Sequence, residues 1–312
     1  MSDDASPKKA RTDGGATIDP DVIHESDRES TDADDDVFET VKAVGLVAVI
    51  AAIGAVMIGP FLYMLSVSFM EPNTVRTIPP KFFPTDPLTW APHNYERVIV
   101  RFNFGRVLLN TFIITAGVTV FNVFFDTLAG YVFAKLRFPG RKLLFMLILA
   151  TLMVPNQVTV VPLYIIVNRL GLLNTHLGMM LPFAASAFGI FLMKQFMETI
   201  PSELEKAAMV DGCTRFEVFY KMVIPLSKPA MATLAIFTFI GTWNAFLWPL
   251  LVAQDQSMYV LSVALAQFQG RFEADIAALM TGTALASLPV IALFVALQKY
   301  YVRGIKLSGV KG

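Results

Sequence analysis

Six long apolar runs constrain the fold of this 312-residue chain more than any other feature. A helix needs about 20 apolar residues to cross the hydrocarbon core of a bilayer, and each run is longer than that. Because backbone amides in lipid must be hydrogen-bonded within the protein, the runs predict an all-α polytopic membrane protein with six transmembrane helices. The predicted helices cover residues 43–70, 107–134, 143–168, 170–193, 229–254 and 276–298.

Prolines lie inside several of these runs and predict kinks or breaks in the helices. They include Pro155 and Pro162 in the third run, Pro182 in the fourth and Pro289 in the sixth. Only residues 168–176 separate the third run from the fourth. Gly171 within this short segment predicts a tight exposed turn rather than one over-long helix.

Residues 1–40 differ from the rest of the chain, because they hold 13 of its 25 acidic residues and only 4 of its 25 basic residues. So few of them are apolar that burial cannot offset the entropy of ordering, which predicts a disordered acidic tail. The tail lacks the basic start and early apolar core of a signal peptide. A partner-binding or salt-adapted segment and a merely solvated extension both remain open. Residues 41–312 are predicted to form the membrane domain.

Basic residues in short loops predict the orientation of the chain in a cell membrane. Lys135, Arg137, Arg141 and Lys142 lie within eight residues between the second and third predicted helices, so this loop is predicted to be cytoplasmic. Both termini and residues 201–225 then also lie in the cytoplasm. The segments 71–104, 168–176 and 253–275 face the opposite side.

Residues 201–225, called here the polar loop, lie between the fourth and fifth predicted helices. Ser202 with Glu205, and Thr214 with Glu217, each match a capping box, in which two side chains satisfy free amides at a helix start. Gly212 predicts a break between the two helices, since glycine adopts the left-handed conformation without a Cβ penalty. The polar loop is therefore predicted to form a helix, a break and a second helix.

One face of the first predicted helix carries small residues. Leu204, Ala207, Ala208 and Asp211 recur at helical spacing, and small side chains permit close approach by another surface. A docking element for a partner is one interpretation of this face. An amphipathic connector lying on the lipid surface is the other.

Several motifs resemble those of a known family. The segment from Lys206 to Gly212, Lys-Ala-Ala-Met-Val-Asp-Gly, followed by Phe219 and Ile-Pro-Leu at 224–226, is similar to the EAA loop of binding-protein-dependent ABC importer permeases. The segments 129–135, 241–244 and 298–304 are similar to the maltose-type carbohydrate permeases. The resemblance extends over about the last two-thirds of the chain.

This resemblance implies that the polar loop is a coupling helix that docks into a cleft on a cytoplasmic ATPase subunit. The residues implied in coupling are Glu205, Lys206, Ala207, Ala208, Asp211, Gly212, Phe216 and Phe219. The family usually has glutamate where this chain has Lys206, so a salt bridge from that position to the ATPase cannot be transferred to this chain.

The resemblance also implies an assembly of two permease subunits, two ABC ATPase subunits and one extracytoplasmic solute-binding protein, importing a sugar. A non-identical second permease is favoured, and a homodimer remains open. The phosphate loop Gly-x-x-x-x-Gly-Lys-Ser/Thr does not occur in the sequence, so ATP is expected to bind to the partner ATPases. The chain is predicted to have no catalytic residue, no cofactor and no metal site of its own, and no nucleic-acid partner.

Three other functions remain as alternatives. An ion-coupled secondary transporter would require titratable groups within the membrane, and Asp126 is the only charged residue inside the second run. The other interpretation of Asp126 is a buried carboxylate hydrogen-bonded to Asn122, Thr127 or a partner subunit. A membrane scaffold that only anchors an ATPase, and a permease of the same family for a solute such as a glycerol phosphate, are the further alternatives.

The substrate pathway must be lined by polar or aromatic groups. Trp243, Asn244 and Trp248, on the predicted fifth helix, are candidates for contacting a sugar, with Asn244 and Trp248 on one face. Asp126 is a further pathway candidate. Helix packing and interfacial anchoring of the tryptophans are the alternative interpretation.

Overall fold

The computed structural model describes residues 20–75, 77, 79, 81–83, 90–101, 103–271 and 275–308, and it describes their side chains except at 20–40, 101, 268–271 and 297–308. By compactness the chain divides into residues 1–62 and residues 63–312. Disorder is predicted for residues 1–40, of which residues 1–19 fall outside the described residues. The backbone of residues 20–40 is helical and continues into the first span.

The regular elements of the described residues are all helices, and one isolated β-bridge among these residues pairs Met70 with Trp90. The helices are α1 Pro20–Ser68, α2 Pro72–Val75, α3 His93–Arg101, α4 Phe104–Lys135, α5 Arg141–Thr151, α6 Asn156–Arg169, α7 His176–Met180, α8 Ala187–Glu198, α9 Ser202–Val210, α10 Arg215–Val218, α11 Ile224–Trp243, α12 Leu247–Val252, α13 Leu261–Arg271 and α14 Ile276–Ser308.

Among the described residues, four helical segments are long and apolar enough to cross a membrane, and the number rises to as many as six if each of two bent helix pairs counts as one span. The four are Val41–Ser68, Phe104–Lys135, Arg215–Trp243 and Ile276–Ala296. The all-α membrane fold is thus confirmed. The first, second and sixth predicted helices match the described bounds within a few residues.

The third predicted helix, 143–168, is interrupted at Pro155, one of the prolines that predict a kink or break. It consists of α5 and α6, which meet at an angle of 98°. Pro155 has no amide hydrogen to donate to the carbonyl of Thr151, and that carbonyl accepts from the amide of Val154 instead. The break at Pro155 therefore exceeds an ordinary proline kink.

The fourth predicted helix, 170–193, is also divided. The predicted turn before it is confirmed, because Gly171 and Asn174 have φ angles of 68° and 56°. The chain then forms α7, a 3₁₀ turn at Leu181–Phe183, and α8, with a bend of 46° before α8. The carbonyl of Gly178, which Pro182 cannot satisfy, accepts from the indole of Trp248 at 3.3 Å.

The fifth span is displaced relative to its prediction at 229–254. The helix runs from Arg215 through a π-helical turn at Phe219–Val223 and ends at Trp243. Pro225 and Pro229 lie within this helical segment and do not interrupt it, so the second helix of the polar loop continues into the membrane helix. After Trp243 the chain turns and then begins α12. The prediction that Asn244 and Trp248 share one helix face is therefore wrong.

α4 packs chiefly against α8 and α11. The approach to α8 is close at Gly130, where an added Cβ atom would lie 2.6 Å from the Cβ of Met193. A larger residue at Gly130 would force the two helices apart. With 32 residues, α4 is about 48 Å long, enough to connect both sides of a bilayer.

Candidate functional site

The two ends of α4 contact different loops. Near its start, the amide of Asn110 donates to the carbonyls of Ser257 and Tyr259, in the segment predicted to face outward. At its end, the ammonium of Lys135 contacts the polar loop. The loop after α4 and the polar loop therefore lie on the same side of the membrane domain, as the distribution of charge predicted.

The polar loop has the predicted helix, break and helix. α9 ends at Val210, Asp211 is its C-cap residue, and Gly212 follows with a φ of 89°. This left-handed conformation lets the amide of Cys213 return to the carbonyl of Ala208 at 3.0 Å. An added Cβ at Gly212 would meet no atom within 4 Å, so the requirement for glycine here comes from the backbone angle.

One of the two predicted capping boxes is confirmed. Thr214 caps α10, because its hydroxyl accepts from the amide of Glu217 while the Glu217 carboxylate accepts from the amide of Thr214. The Ser202–Glu205 box is wrong. Ser202 is the first helical residue and its hydroxyl donates to Glu203, and Glu205 turns inward instead. Hydrogen bonds from its own backbone amide, then from Ser202, lower the pKa of the Glu203 carboxyl.

A buried ion pair takes the place of the missing capping box. The ammonium of Lys135 lies 2.7 Å from the carboxylate of Glu205, and the two side chains are only 9% and 12% exposed. The same ammonium donates to the carbonyl of Ile200 at 2.6 Å. Through these two contacts Lys135 connects Ile200, before α9, and Glu205, in the first turn of α9, to the end of α4.

The inner face of the polar loop packs against α4 and α8. The ring centroid of Phe219 lies 4.7 Å from that of Tyr131 on α4. Val218 and Val223 are buried in the same cluster as Met193 and Met197, and Ala208 and Cys213 pack on its edge. Phe219 therefore faces the membrane domain rather than a partner.

The outer face of the polar loop exposes large apolar side chains. Val210, Phe216 and Tyr220 are 87%, 73% and 64% exposed. Ala207, Asp211 and Lys206 are also exposed, while Ala208 is half-buried. Large exposed apolar side chains on a loop that is bound to α4 are typical of a surface that binds a partner protein.

A second feature is an open-sided cavity within the membrane domain, called here the membrane cavity. Its volume is about 440 Å³, and it lies between α4, α6 and the turn after α11. The wall on α4 is buried, whereas Asn156 and Gln157 on the opposite side are exposed. Hydroxyl, amide and aromatic side chains line it, among them Thr115, Asn122, Gln157, Thr242, Phe183 and Trp248.

The three pathway candidates of the predicted fifth helix lie in different surroundings. Trp248 lines the membrane cavity and packs edge-on against Phe183. Trp243 is buried elsewhere, stacked on Phe239, and its indole donates to the carbonyl of Ala286 at 3.2 Å. Asn244 is exposed and its amide donates back to Ile240 in the preceding turn.

Asp126 is fully buried, and it bonds to neither Asn122 nor Thr127 as one interpretation expected. Its carboxylate accepts from the backbone amide of Ser186 at 2.9 Å and from the Ser186 hydroxyl at 2.8 Å. That hydroxyl in turn accepts from the amide of Gly189. Asp126 therefore stabilises the start of α8, next to the bend in the fourth span.

Two groups of residues in these sites were missed from the sequence. The sequence identifies Lys135 only as one of the basic residues that predict topology, whereas in the structure it forms the ion pair with Glu205. The polar residues of the membrane cavity are dispersed over several helices, and no local pattern links them. Their shared property is an uncharged polar side chain inside an apolar run.

Comparisons with known proteins find a matching family and several similar proteins. The family model described as the inner membrane component of binding-protein-dependent transport systems matches residues 126–307. The arabinooligosaccharides transport system permease protein AraQ of Bacillus subtilis strain 168 is 34% identical over 231 residues, covering 73% of this chain and 81% of AraQ. The sn-glycerol-3-phosphate transport system permease protein UgpE of Pectobacterium atrosepticum is 36% identical over 207 residues, covering 65% of this chain and 73% of UgpE.

A solved structure is similar over most of the chain. One chain of a bacterial ABC transporter involved in the import of the acidic polysaccharide alginate superposes with a TM-score of 0.72 at 26% identity. The match covers 86% of the present chain and 98% of that chain.

Proposed function

Because the chain belongs to the family of inner membrane components of binding-protein-dependent transport systems, we propose that its polar loop couples a cytoplasmic ATPase to solute import. The observation that carries this proposal is the exposed apolar surface of Val210, Phe216 and Tyr220 on a loop fixed to α4. A rigid loop transmits a movement of its partner to α4 and α8, whereas a mobile loop would absorb it. The ATPase partners bind and hydrolyse ATP, and this chain contributes neither catalytic residue nor cofactor.

The charges near this surface suggest what the ATPase presents to it. Lys135, Arg137, Lys206 and Arg215 line a cavity of about 520 Å³ beneath the polar loop, with Glu205 as the acidic residue among the lining side chains. Lys206 and Arg215 are exposed. The surface that docks here is therefore proposed to carry carboxylates near Lys206, the reverse of the contact that a glutamate at this position would make.

The transported solute is proposed to be a sugar or oligosaccharide delivered by an extracytoplasmic binding protein. The name of AraQ describes a permease for arabinooligosaccharides. The membrane cavity of this chain is lined by hydroxyl, amide and aromatic groups, among others. The exposed side of this cavity at Asn156 and Gln157 is where a second, non-identical permease subunit would complete it. The polar loop and both termini are proposed to lie in the cytoplasm, and the distribution of basic residues supports this orientation.

Replacement of Phe216 by aspartate is expected to abolish capture of the ATPase by this subunit. A charge at a 73% exposed apolar position leaves the fold intact but places an unpaired carboxylate in the docking surface. The measurement is co-purification of the ATPase with the tagged permease from solubilised membranes. Phe82→Asp is the matched control, because Phe82 is 65% exposed on a segment predicted to face outward. Equal ATPase recovery with both variants would contradict the proposal.

Gly212→Val is expected to leave membrane abundance unchanged and to lower solute uptake per ATP hydrolysed. The left-handed conformation costs a residue with a side chain about 1–2 kcal/mol, which favours a different path for the chain after α9. Gly212→Asn is the matched control, since asparagine adopts this conformation more readily. Wild-type coupling in the valine variant, measured in reconstituted vesicles, would show that the shape of this break is dispensable.

A further inference from the structure

The cavity beneath the polar loop has an excess of positive charge. Lys135 and Arg137 line it from the end of α4, Lys206 from α9 and Arg215 from α10. Among the described residues that line this cavity, Glu205 is the one with a carboxylate. Four basic side chains therefore surround the cavity with a single acidic one.

The carboxylate of Glu205 is already paired. It lies 2.7 Å from the ammonium of Lys135, and both side chains are about nine-tenths buried. The carbonyl of Ile200 accepts a second hydrogen bond from the same ammonium. Because an ammonium has three N–H donors, Lys135 retains one donor for a further acceptor.

The two arginines have no acidic partner. The ion pairs found among the described residues include neither Arg137 nor Arg215. Other carboxylates of the polar loop are bound elsewhere, since Glu203 accepts from the residue before it and Glu217 accepts from the ammonium of Lys221 at 2.8 Å. Both guanidinium groups are exposed, so an anion can reach them.

The fold brings the two arginines to one cavity although they are distant in sequence. The hydroxyl of Tyr131 on α4 lies 3.5 Å from the backbone carbonyl of Arg215, which places the start of α10 beside the end of α4. Positive groups that share a cavity repel each other, and an anion between them converts this repulsion into attraction. Lys142, in contrast, is exposed near Arg137 in sequence but does not line the cavity.

We propose that this cavity binds a phosphate group, carried by the headgroup of an anionic lipid or by a soluble phosphate. Guanidinium groups match phosphate oxygens in a bidentate manner. Basic pockets between transmembrane helices on the cytoplasmic side bind phosphate-bearing lipid headgroups. Arg137 and Arg215 bind the phosphate oxygens, and the remaining donor of Lys135 binds a further one.

A phosphate bound in this way connects the end of α4 to α10. The ion pair of Lys135 and Glu205 already connects the end of α4 to α9, so the phosphate adds a second attachment of the polar loop to the membrane domain. The inference goes beyond the proposed function, because it does not require the loop to meet an ATPase.

Amide hydrogen exchange of residues 202–218 tests the site in the complete importer, reconstituted in nanodiscs of phosphatidylcholine. The probes are phosphatidylglycerol in the nanodisc and inorganic phosphate in solution, each titrated at constant ionic strength. At least one probe should slow exchange severalfold. Protection by phosphatidylglycerol alone identifies a lipid headgroup, whereas protection by inorganic phosphate identifies a soluble ligand. Absence of protection by both probes would overturn the inference.

Substitutions distinguish a site from a general effect of charge. Arg137→Gln and Arg215→Gln should each raise the amount of probe needed for half-maximal protection by about tenfold, the effect of one lost hydrogen bond to a charged group. Both positions are exposed, so the fold should persist. Lys142→Gln is the matched control, because it removes an exposed positive charge outside the cavity. Equal protection in all three variants would contradict the site.

The proposed function is tested separately. Recovery of the ATPase with the Phe216→Asp variant requires neither probe, so a failure of the phosphate site and a failure of ATPase docking are distinguishable.

Discussion

Glu205→Gln is expected to detach the first turn of α9 from α4 and to reduce solute uptake severely. The substitution leaves the ammonium of Lys135 as an uncompensated charge in a site where both side chains are about nine-tenths buried. Breaking a buried pair by removing one partner costs about 3–5 kcal/mol. The expected results are faster hydrogen exchange of the α9 amides, lower uptake per ATP hydrolysed, and a lower unfolding temperature.

Two further variants separate the ion pair from other effects of the substitution. Glu203→Gln removes an exposed carboxylate from the same helical turn and should leave exchange and uptake near the wild-type values. The double variant Lys135→Met with Glu205→Met removes both charges, and stability should largely return, because apolar residues of similar volume often replace such pairs without loss. If Glu205→Gln and Glu203→Gln behave alike, the buried pair does not hold the polar loop.

Asp126→Leu is expected to prevent stable assembly of the membrane domain. The substitution removes the acceptor for both the amide and the hydroxyl of Ser186 at the buried start of α8. Leaving these donors unsatisfied costs on the order of 2–4 kcal/mol. The abundance of the variant in the membrane, measured by immunoblotting, should fall strongly.

Asp126→Asn distinguishes this structural role from proton-coupled transport. The amide oxygen still accepts from the backbone of Ser186, so abundance and uptake should remain within a few-fold of wild type. A proton relay, in contrast, requires a titratable group at this position. Normal abundance with abolished uptake in the asparagine variant would support ion coupling and contradict the capping role.

The positions of the spans were predictable because the hydropathy of a segment alone decides whether it enters lipid. The first, second and sixth helices followed from this rule. The prolines predict breaks, but not which of them interrupt the helix: Pro155 does, whereas Pro162 and Pro289 lie inside α6 and α14. A proline ends a helix only where other contacts take over the freed carbonyls. In the fourth span this contact is the indole of Trp248, a residue distant in sequence that no local pattern connects to Pro182.

The polar loop shows the same division between local and distant contacts. Thr214, Glu217 and Gly212 adopt the predicted roles because each depends on neighbours within a few residues. Glu205 also lies at a capping-box position in the sequence. In the structure it forms an ion pair with Lys135 instead, which is distant in sequence. Short motifs therefore predicted the shape of the loop, whereas its attachment to α4 required the three-dimensional structure.

Photo-crosslinking from position 216 tests the role of the polar loop most directly. A photoreactive phenylalanine analogue placed at Phe216 of the complete importer should join this subunit covalently to the ATPase, because that side chain is exposed on the proposed docking surface. The same analogue at Phe82 should yield no ATPase product. Absence of the ATPase product at position 216, or its equal formation at position 82, would contradict the proposal that residues 201–225 couple the ATPase to transport.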